Sequence, residues 1–123
     1  ALYHAIDSIR EGMRFKELTK ILEVYIVSAG FVPLRDYCGH GIGTKAHDEP
    51  NIPNYLEGKP NQGPMIKNGM VYCLEPLVCQ KSGTTGLLDD KWSVISEDQL
   101  RTAHYEHEIA VVDGKAVILT EVQ

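Results

Sequence analysis

Residues 70–79 read MVYCLEPLVC, an almost wholly apolar run with one carboxylate, Glu75, in its middle. A run of this kind is typical of a buried β-strand. An ionised carboxylate among apolar groups costs free energy unless it is paired or bound to a metal. Pro76 would also suit an exposed strand edge, so the strand alone leaves both interpretations of Glu75 open.

Two helices are predicted before this strand. Leu2, Ile6, Ile9 and Met13 recur at helical spacing from the start of the chain, and Gly12 stands where a helix often ends. A second helix is expected over residues 15–29, its apolar stripe being Phe15, Leu18, Leu22, Tyr25 and Ala29. Because the first helix is already under way at residue 1, with no initiator Met or capping residue before it, we expect a chain cut from a longer one.

The rest of the chain is rich in β-forming residues. Residues 39–69 are dense in Gly and Pro and predict an ordered loop. Asp113-Gly114 is a hairpin signal between the last two predicted strands. The predicted fold class is therefore α+β, with strands over residues 31–37, 70–79, 92–96, 102–112 and 115–120.

Composition narrows the class of protein. The length of 123 residues suits one domain, residues 1–123. A net charge of −5 without a basic cluster argues against nucleic acid as a partner. No apolar run is long enough for a membrane span or a signal peptide, so we expect a soluble, cytoplasmic protein. The three cysteines show no C-x-x-C spacing, and we interpret them as small buried apolar side chains rather than zinc ligands.

Further polar residues lie in two other segments. In residues 102–112, TAHYEHEIAVV, the period of two places His104, Glu106 and Glu108 on one face. Residues 37–50, YCGHGIGTKAHDEP, set His40 between two glycines, with His47 seven residues later. Imidazole and carboxylate without thiolate is a ligand set for Mn, Fe, Co or Zn.

Four short motifs, in this order and at these intervals, resemble the second half of type I methionine aminopeptidases. They are Gly39-His40-Gly41-Ile42-Gly43, His47 with Glu49-Pro50, Leu74-Glu75-Pro76 and Tyr105-Glu106-His107, with Cys38 before the first and Trp92 after a Gly-rich gap. The similarity runs over roughly residues 1–120, and the last motif resembles methionine aminopeptidases more than prolidases.

The resemblance implies the C-terminal half of a "pita-bread" fold, with two N-terminal helices followed by a curved antiparallel sheet that holds two divalent metals. By residue-level carry-over, His40, Glu75 and Glu106 would be metal ligands. Glu106 would also bridge both ions and take the proton of the nucleophilic water. His47, Trp92 and Cys38 would bind the substrate, the N-terminus of a peptide or nascent protein that loses its methionine.

This sequence departs from the family's pattern in several places. Ala46 stands where an aromatic residue is common, and His104 where glutamine is usual. In the family, two aspartate ligands lie on strands upstream of the point where this chain begins. Asp7, the only early aspartate here, is on a predicted helix and has no matching strand around it. We therefore expect a partial catalytic domain that lacks its N-terminal half, holds at most one ion, and associates with that half or with itself. The alternatives are an inactive module that binds a peptide or partner, and a structural protein without metal.

Overall fold

The structure is a computed structural model that describes residues 1–122 of the chain. Two helices, α1 (Leu2–Ser8) and α2 (Phe15–Ser28), precede a series of short strands. In chain order the strands are β1 (Val32–Pro33), β2 (Gly39–Gly41), β3 (Asp48–Ile52), β4 (Val71–Leu74), β5 (Leu77–Cys79), β6 (Thr85–Leu87), β7 (Val94–Ser96), β8 (Thr102–His104), β9 (His107–Val112) and β10 (Lys115–Ile118).

Helix α2 agrees with its prediction to within a residue. The backbone N–H of Arg14 donates to Glu17 Oε2 at 2.7 Å and caps the first turn. Gly30, with φ of +85°, takes the left-handed conformation that follows many helices. The buried stripe of α2, however, passes through Ile26, whereas Tyr25 and Ala29, which were predicted to belong to it, are exposed.

Helix α1 is shorter than predicted, because Ile9 is already extended with φ −66° and ψ 130°. Gly12 does mark a turn, but four residues beyond the helix end. Its φ of +84° lets the chain reverse between the two helices. Ile9 keeps its place in the apolar pattern although it lies outside the helix, because its side chain is fully buried in the core that also contains Leu2 and Ile6.

The strands form three antiparallel sheets. The largest has the order β10-β9-β4-β2-β3, a second has the order β1-β5-β8, and β6 pairs with β7 alone. Within residues 1–122 the helices and the largest sheet share one core. Its most deeply buried members are Ile9, Leu18, Leu22, Ile52, Ile66, Tyr72, Leu74, Ile109 and Val111. The α+β class is confirmed.

Two of the predicted strands are each divided by a break. Residues 70–79 form β4 and β5 in different sheets, and residues 102–112 form β8 and β9 likewise. Strands β2 and β3 lie where a loop was expected from the density of Gly and Pro, and their ladder contains a register shift between His40 and Gly41. No helix within residues 1–122 has the length and apolar character to cross a membrane.

Candidate metal centre

Glu75 and Glu106 lie at the two strand breaks. Leu74 pairs with His107 in the largest sheet and Leu77 pairs with His104 in the next, in one continuous register. That register places Glu75 opposite Glu106 across the antiparallel pair. Like charges directly opposite each other destabilise a sheet unless something neutralises them. We call this place, residues 75–76 and 105–106, the seam.

His40 approaches the seam from β2, where it pairs with Cys73 of β4. Its ring is buried, and its Nδ1 lies 2.8 Å from the carbonyl oxygen of Gly41. Since a carbonyl oxygen can only accept a hydrogen bond, Nδ1 of His40 carries a proton and donates the hydrogen bond to the Gly41 carbonyl. A neutral ring then presents the lone pair of Nε2 to Glu75 Oε1, 3.5 Å away. Two acceptors that face each other require a proton or a cation between them.

Two overlapping groups of donor atoms meet here. Ligand atoms of His40, Cys73 and Glu106 all lie within 4.8 Å of one another, and so do those of Glu75, His104 and Glu106. The three predicted ligands therefore approach one another in pairs, with His40 Nε2 3.5 Å from Glu75 Oε1 and Glu106 shared by both groups, but they are divided between two overlapping groups. Because a carboxylate pair with imidazole suits a borderline or hard divalent metal, the donor set fits the metal that the resemblance implies.

Cys73 and His104 belong to these groups, although neither was among the predicted metal ligands. Cys73 was interpreted as a small buried apolar side chain. His104 was placed on one strand face with Glu106 and was noted as a departure from the family pattern. The available signal was periodicity. Cys73 precedes Glu75 by two residues and His104 precedes Glu106 by two, so in an extended strand each shares a face with its glutamate.

Burial shapes the chemistry of the seam. Desolvation, followed by the charge of Glu106, raises the pKa of Glu75, and the two neighbouring imidazoles oppose this shift. Burial, followed by a hydrogen bond with Glu106, raises the pKa of the Cys73 thiol to about 12. Cys73 is thus a neutral thiol near pH 7, so the donors available without further proton loss are imidazoles and carboxylates.

The predicted substrate-binding residues lie in different surroundings. The rings of His47 and His40 are 4.2 Å apart between centroids, which places His47 beside the buried imidazole. Cys38 is partly buried two residues before His40, and burial raises the pKa of its thiol. Trp92 lies on the turn between β6 and β7 with 86% of its surface exposed. Its backbone N–H donates to Asp90 Oδ1 at 3.0 Å, which holds the turn.

An antiparallel sheet that gathers a histidine and two glutamates at a strand seam offers the donor set of a divalent-metal site. The sequence pattern of Metallopeptidase family M24 matches residues 1–113. The chain belongs to that family.

The relatives of the chain are methionine aminopeptidases. It is 65% identical over 123 residues to the methionine aminopeptidase of Helicobacter pylori (strain ATCC 700392 / 26695), covering 98% of this chain and 49% of that protein. It is 37% identical to methionine aminopeptidase 1 of Bacillus subtilis, covering 99% of this chain and 48% of that one. The resemblance to this family is confirmed, and the chain spans about half the length of these relatives.

Solved structures agree on the fold. The methionine aminopeptidase of Thermotoga maritima matches with a TM-score of 0.93 at 36% identity, over 98% of this chain and 48% of that one. The prolidase of Pyrococcus furiosus matches with a TM-score of 0.70 at 24% identity, over 99% of this chain and 30% of that one, which bears on the fold alone. The predicted half of a pita-bread fold is confirmed.

Proposed function

We propose that residues 1–123 are part of the catalytic domain of a methionine aminopeptidase, the remainder being an N-terminal half. The reaction is hydrolysis of the peptide bond after the N-terminal methionine of a peptide or nascent protein. The observation that carries this proposal is the convergence of His40, Glu75 and Glu106 at the seam. Since nascent chains are the substrate class, the proposal also places the protein in the cytoplasm.

We further propose that His40, Glu75 and Glu106 bind one divalent ion, Mn, Fe, Co or Zn. Such an ion, when bound, lowers the pKa of a water and polarises the scissile carbonyl. The support from the chain itself is the orientation of the His40 ring, whose Nε2 lies 3.5 Å from Glu75 Oε1. The hydrogen bond from Nδ1 to the carbonyl of Gly41 orients the ring for this role.

The other proposed roles are those that the resemblance implies for these residues. Glu106 faces Glu75, and its carboxylate accepts the proton of the attacking water. His47, beside His40, donates a hydrogen bond through its ring N–H to the substrate carbonyl as negative charge develops there. Cys38, partly buried two residues before His40, contacts the substrate. Trp92, on its exposed turn, covers the methionine side chain when the domain is complete.

A second candidate function is a peptide-binding or partner-binding module without catalysis. It is favoured by the donor set, since the two aspartates that the resemblance requires have no counterpart among residues 1–122. In either case the association partner is an N-terminal half or another copy of this chain. The two functions differ in what the full-length protein does to a methionyl peptide.

Metal titration tests the centre directly. We expect Co²⁺ to bind the chain with a stoichiometry of one, measured by isothermal titration calorimetry and by visible absorption. His40→Ala, Glu75→Gln and Glu106→Gln should each abolish or greatly weaken binding. Glu108→Gln is the matched control, because Glu108 is a carboxylate of β9 outside both donor groups. Equal losses in the control would show general charge attraction and refute the site.

A further inference from the structure

His104 contacts the seam through the carboxylate of Glu75. Its Nε2 lies 3.1 Å from Glu75 Oε2, while His40 Nε2 faces Oε1 of the same carboxylate. The two oxygens of Glu75 therefore have different neighbours. The His104 side chain is 47% exposed and that of Glu75 only 13%.

We infer that His104 is a positioning residue, which donates Nε2–H to Glu75 Oε2 and thereby turns Oε1 toward His40 and the proposed ion. This inference rests on the proposed metal site. A neutral imidazole with its proton on Nε2 satisfies the 3.1 Å contact as an ordinary hydrogen bond. His40, by contrast, turns the ring nitrogen that does not bond Gly41 toward Oε1 of the same carboxylate, at 3.5 Å.

The seam explains why such a hydrogen bond matters. Glu75 and Pro76 lie between β4 and β5, so the strand ladder does not fix the direction of the carboxylate there. Glu106, directly opposite, repels Glu75 and would push it aside when no ion is present. A donor on Oε2 offsets that repulsion and keeps Glu75 in its ligating orientation, the role that outer hydrogen bonds play for metal ligands elsewhere.

The test compares two substitutions in the full chain. Gln places an amide N–H near the position of Nε2, so His104→Gln should keep the Co²⁺ dissociation constant within about threefold of the unsubstituted chain. His104→Ala removes the donor and should weaken binding by about 10–100-fold. The visible spectrum of bound Co²⁺ should be the same in all three proteins, since the ion's own ligands do not change.

Controls separate this role from a structural one. His104→Ala should leave the metal-free melting temperature nearly unchanged, because the side chain is half exposed. His107→Ala removes another imidazole of the same strand pair, one that bonds Tyr3 and Thr120 instead. It should leave the Co²⁺ dissociation constant unchanged.

Three results would overturn the inference. If His104→Gln weakens binding as much as Ala and alters the Co²⁺ spectrum, His104 is itself a ligand. If neither substitution changes the dissociation constant while His40→Ala does, the proposed site stands and the role of His104 fails. If His40→Ala also has no effect, the proposed site fails and the inference fails with it.

Discussion

Glu75 and Glu106 face each other across one antiparallel strand pair, at the point where both strands leave one sheet and enter another. In a continuous strand, successive side chains alternate between the two faces of a single sheet. The break instead leaves two carboxylates at a shared edge, with His40 within 3.5 Å of the first. The charge repulsion that results is the physical reason to expect a cation there.

Substitution of Glu75 should change the pH dependence of stability. Burial and Glu106 raise the pKa of Glu75 above its ordinary value of 4.5, so its ionisation is less favourable in the folded than in the unfolded chain. The free energy of unfolding therefore falls as the pH rises from the unfolded-state pKa of Glu75 through its higher folded-state pKa. In a metal chelator, Glu75→Gln should melt higher than the unsubstituted chain at pH 7, and the difference should shrink toward pH 4.

Circular dichroism melts at pH 4, 5, 6 and 7 would measure this difference. Glu108→Gln controls for loss of one negative charge from the same face of the sheet. A difference that grows toward low pH would contradict the prediction, because it would mean that ionised Glu75 stabilises the metal-free fold.

Gly41→Ala should distort the site. A Cβ at this position would lie 2.1 Å from the carbonyl oxygen of Glu49, a backbone atom that cannot move alone. Strand β3 would have to shift, and the carbonyl of Gly41 that holds the His40 ring would shift with it. We expect a loss of about 1–3 kcal/mol in unfolding free energy and weaker Co²⁺ binding, measured by denaturant titration and calorimetry.

Gly86→Ala is the matched control for Gly41→Ala. A Cβ there would have no neighbour within 4 Å, and Gly86 does not have a positive φ. Its stability and Co²⁺ affinity should be those of the unsubstituted chain. Equal destabilisation by the two substitutions would refute the steric argument.

How much the sequence could predict depended on how regular each element is. Helix α2 could be located closely because its period of 3.6 runs uninterrupted over fourteen residues. The strand breaks could not be located, because Pro76 in MVYCLEPLVC also suits an edge strand and so does not by itself show that Leu74 and Leu77 belong to different sheets. His40, Glu75 and Glu106 were selected through their motifs. The period of two put His104 on the face of Glu106, but its contact with Glu75 and the pairing of Cys73 with His40 depend on the register between strands, which one strand's sequence does not contain.

Leu22→Ala should destabilise the fold far more than Val24→Ala. Leu22 is fully buried between α2 and the largest sheet, whereas Val24 is 58% exposed on the same helix. Truncating a buried leucine typically costs about 2–5 kcal/mol, because the lost burial adds to the cavity left behind. The exposed substitution should cost no more than about 0.5 kcal/mol. Urea unfolding at constant m-value would measure both, and similar costs would contradict the assigned core.

Self-association of the chain is expected from its exposed apolar side chains. Val24 and Val27 on the outer face of α2 are 58% and 55% exposed, and Tyr105 beside the seam is 69% exposed. Covering such surface is favourable by about 25 cal/mol per Å², and a closed two-fold dimer is the simplest way to do so. Sedimentation equilibrium should show a dimer at micromolar concentration.

Val27→Glu should shift that equilibrium toward monomer if α2 forms the contact. Gln62→Glu, which adds the same charge on an exposed loop, should not. A stable monomer at every concentration, with melting independent of protein concentration, would refute self-association altogether.

The isolated chain should show little methionine aminopeptidase activity. The resemblance assigns five protein ligands to a two-metal centre, and residues 1–122 supply counterparts of three of them, so we expect at most one ion to be bound. With Mn²⁺ or Co²⁺ added, release of methionine from a Met-Ala peptide should be no faster than for Glu106→Ala. Refolding the chain together with the upstream half of the full-length protein should restore turnover, and Glu106→Ala should abolish it. Steady hydrolysis by the chain alone, lost in Glu106→Ala, would show that its own residues suffice for catalysis.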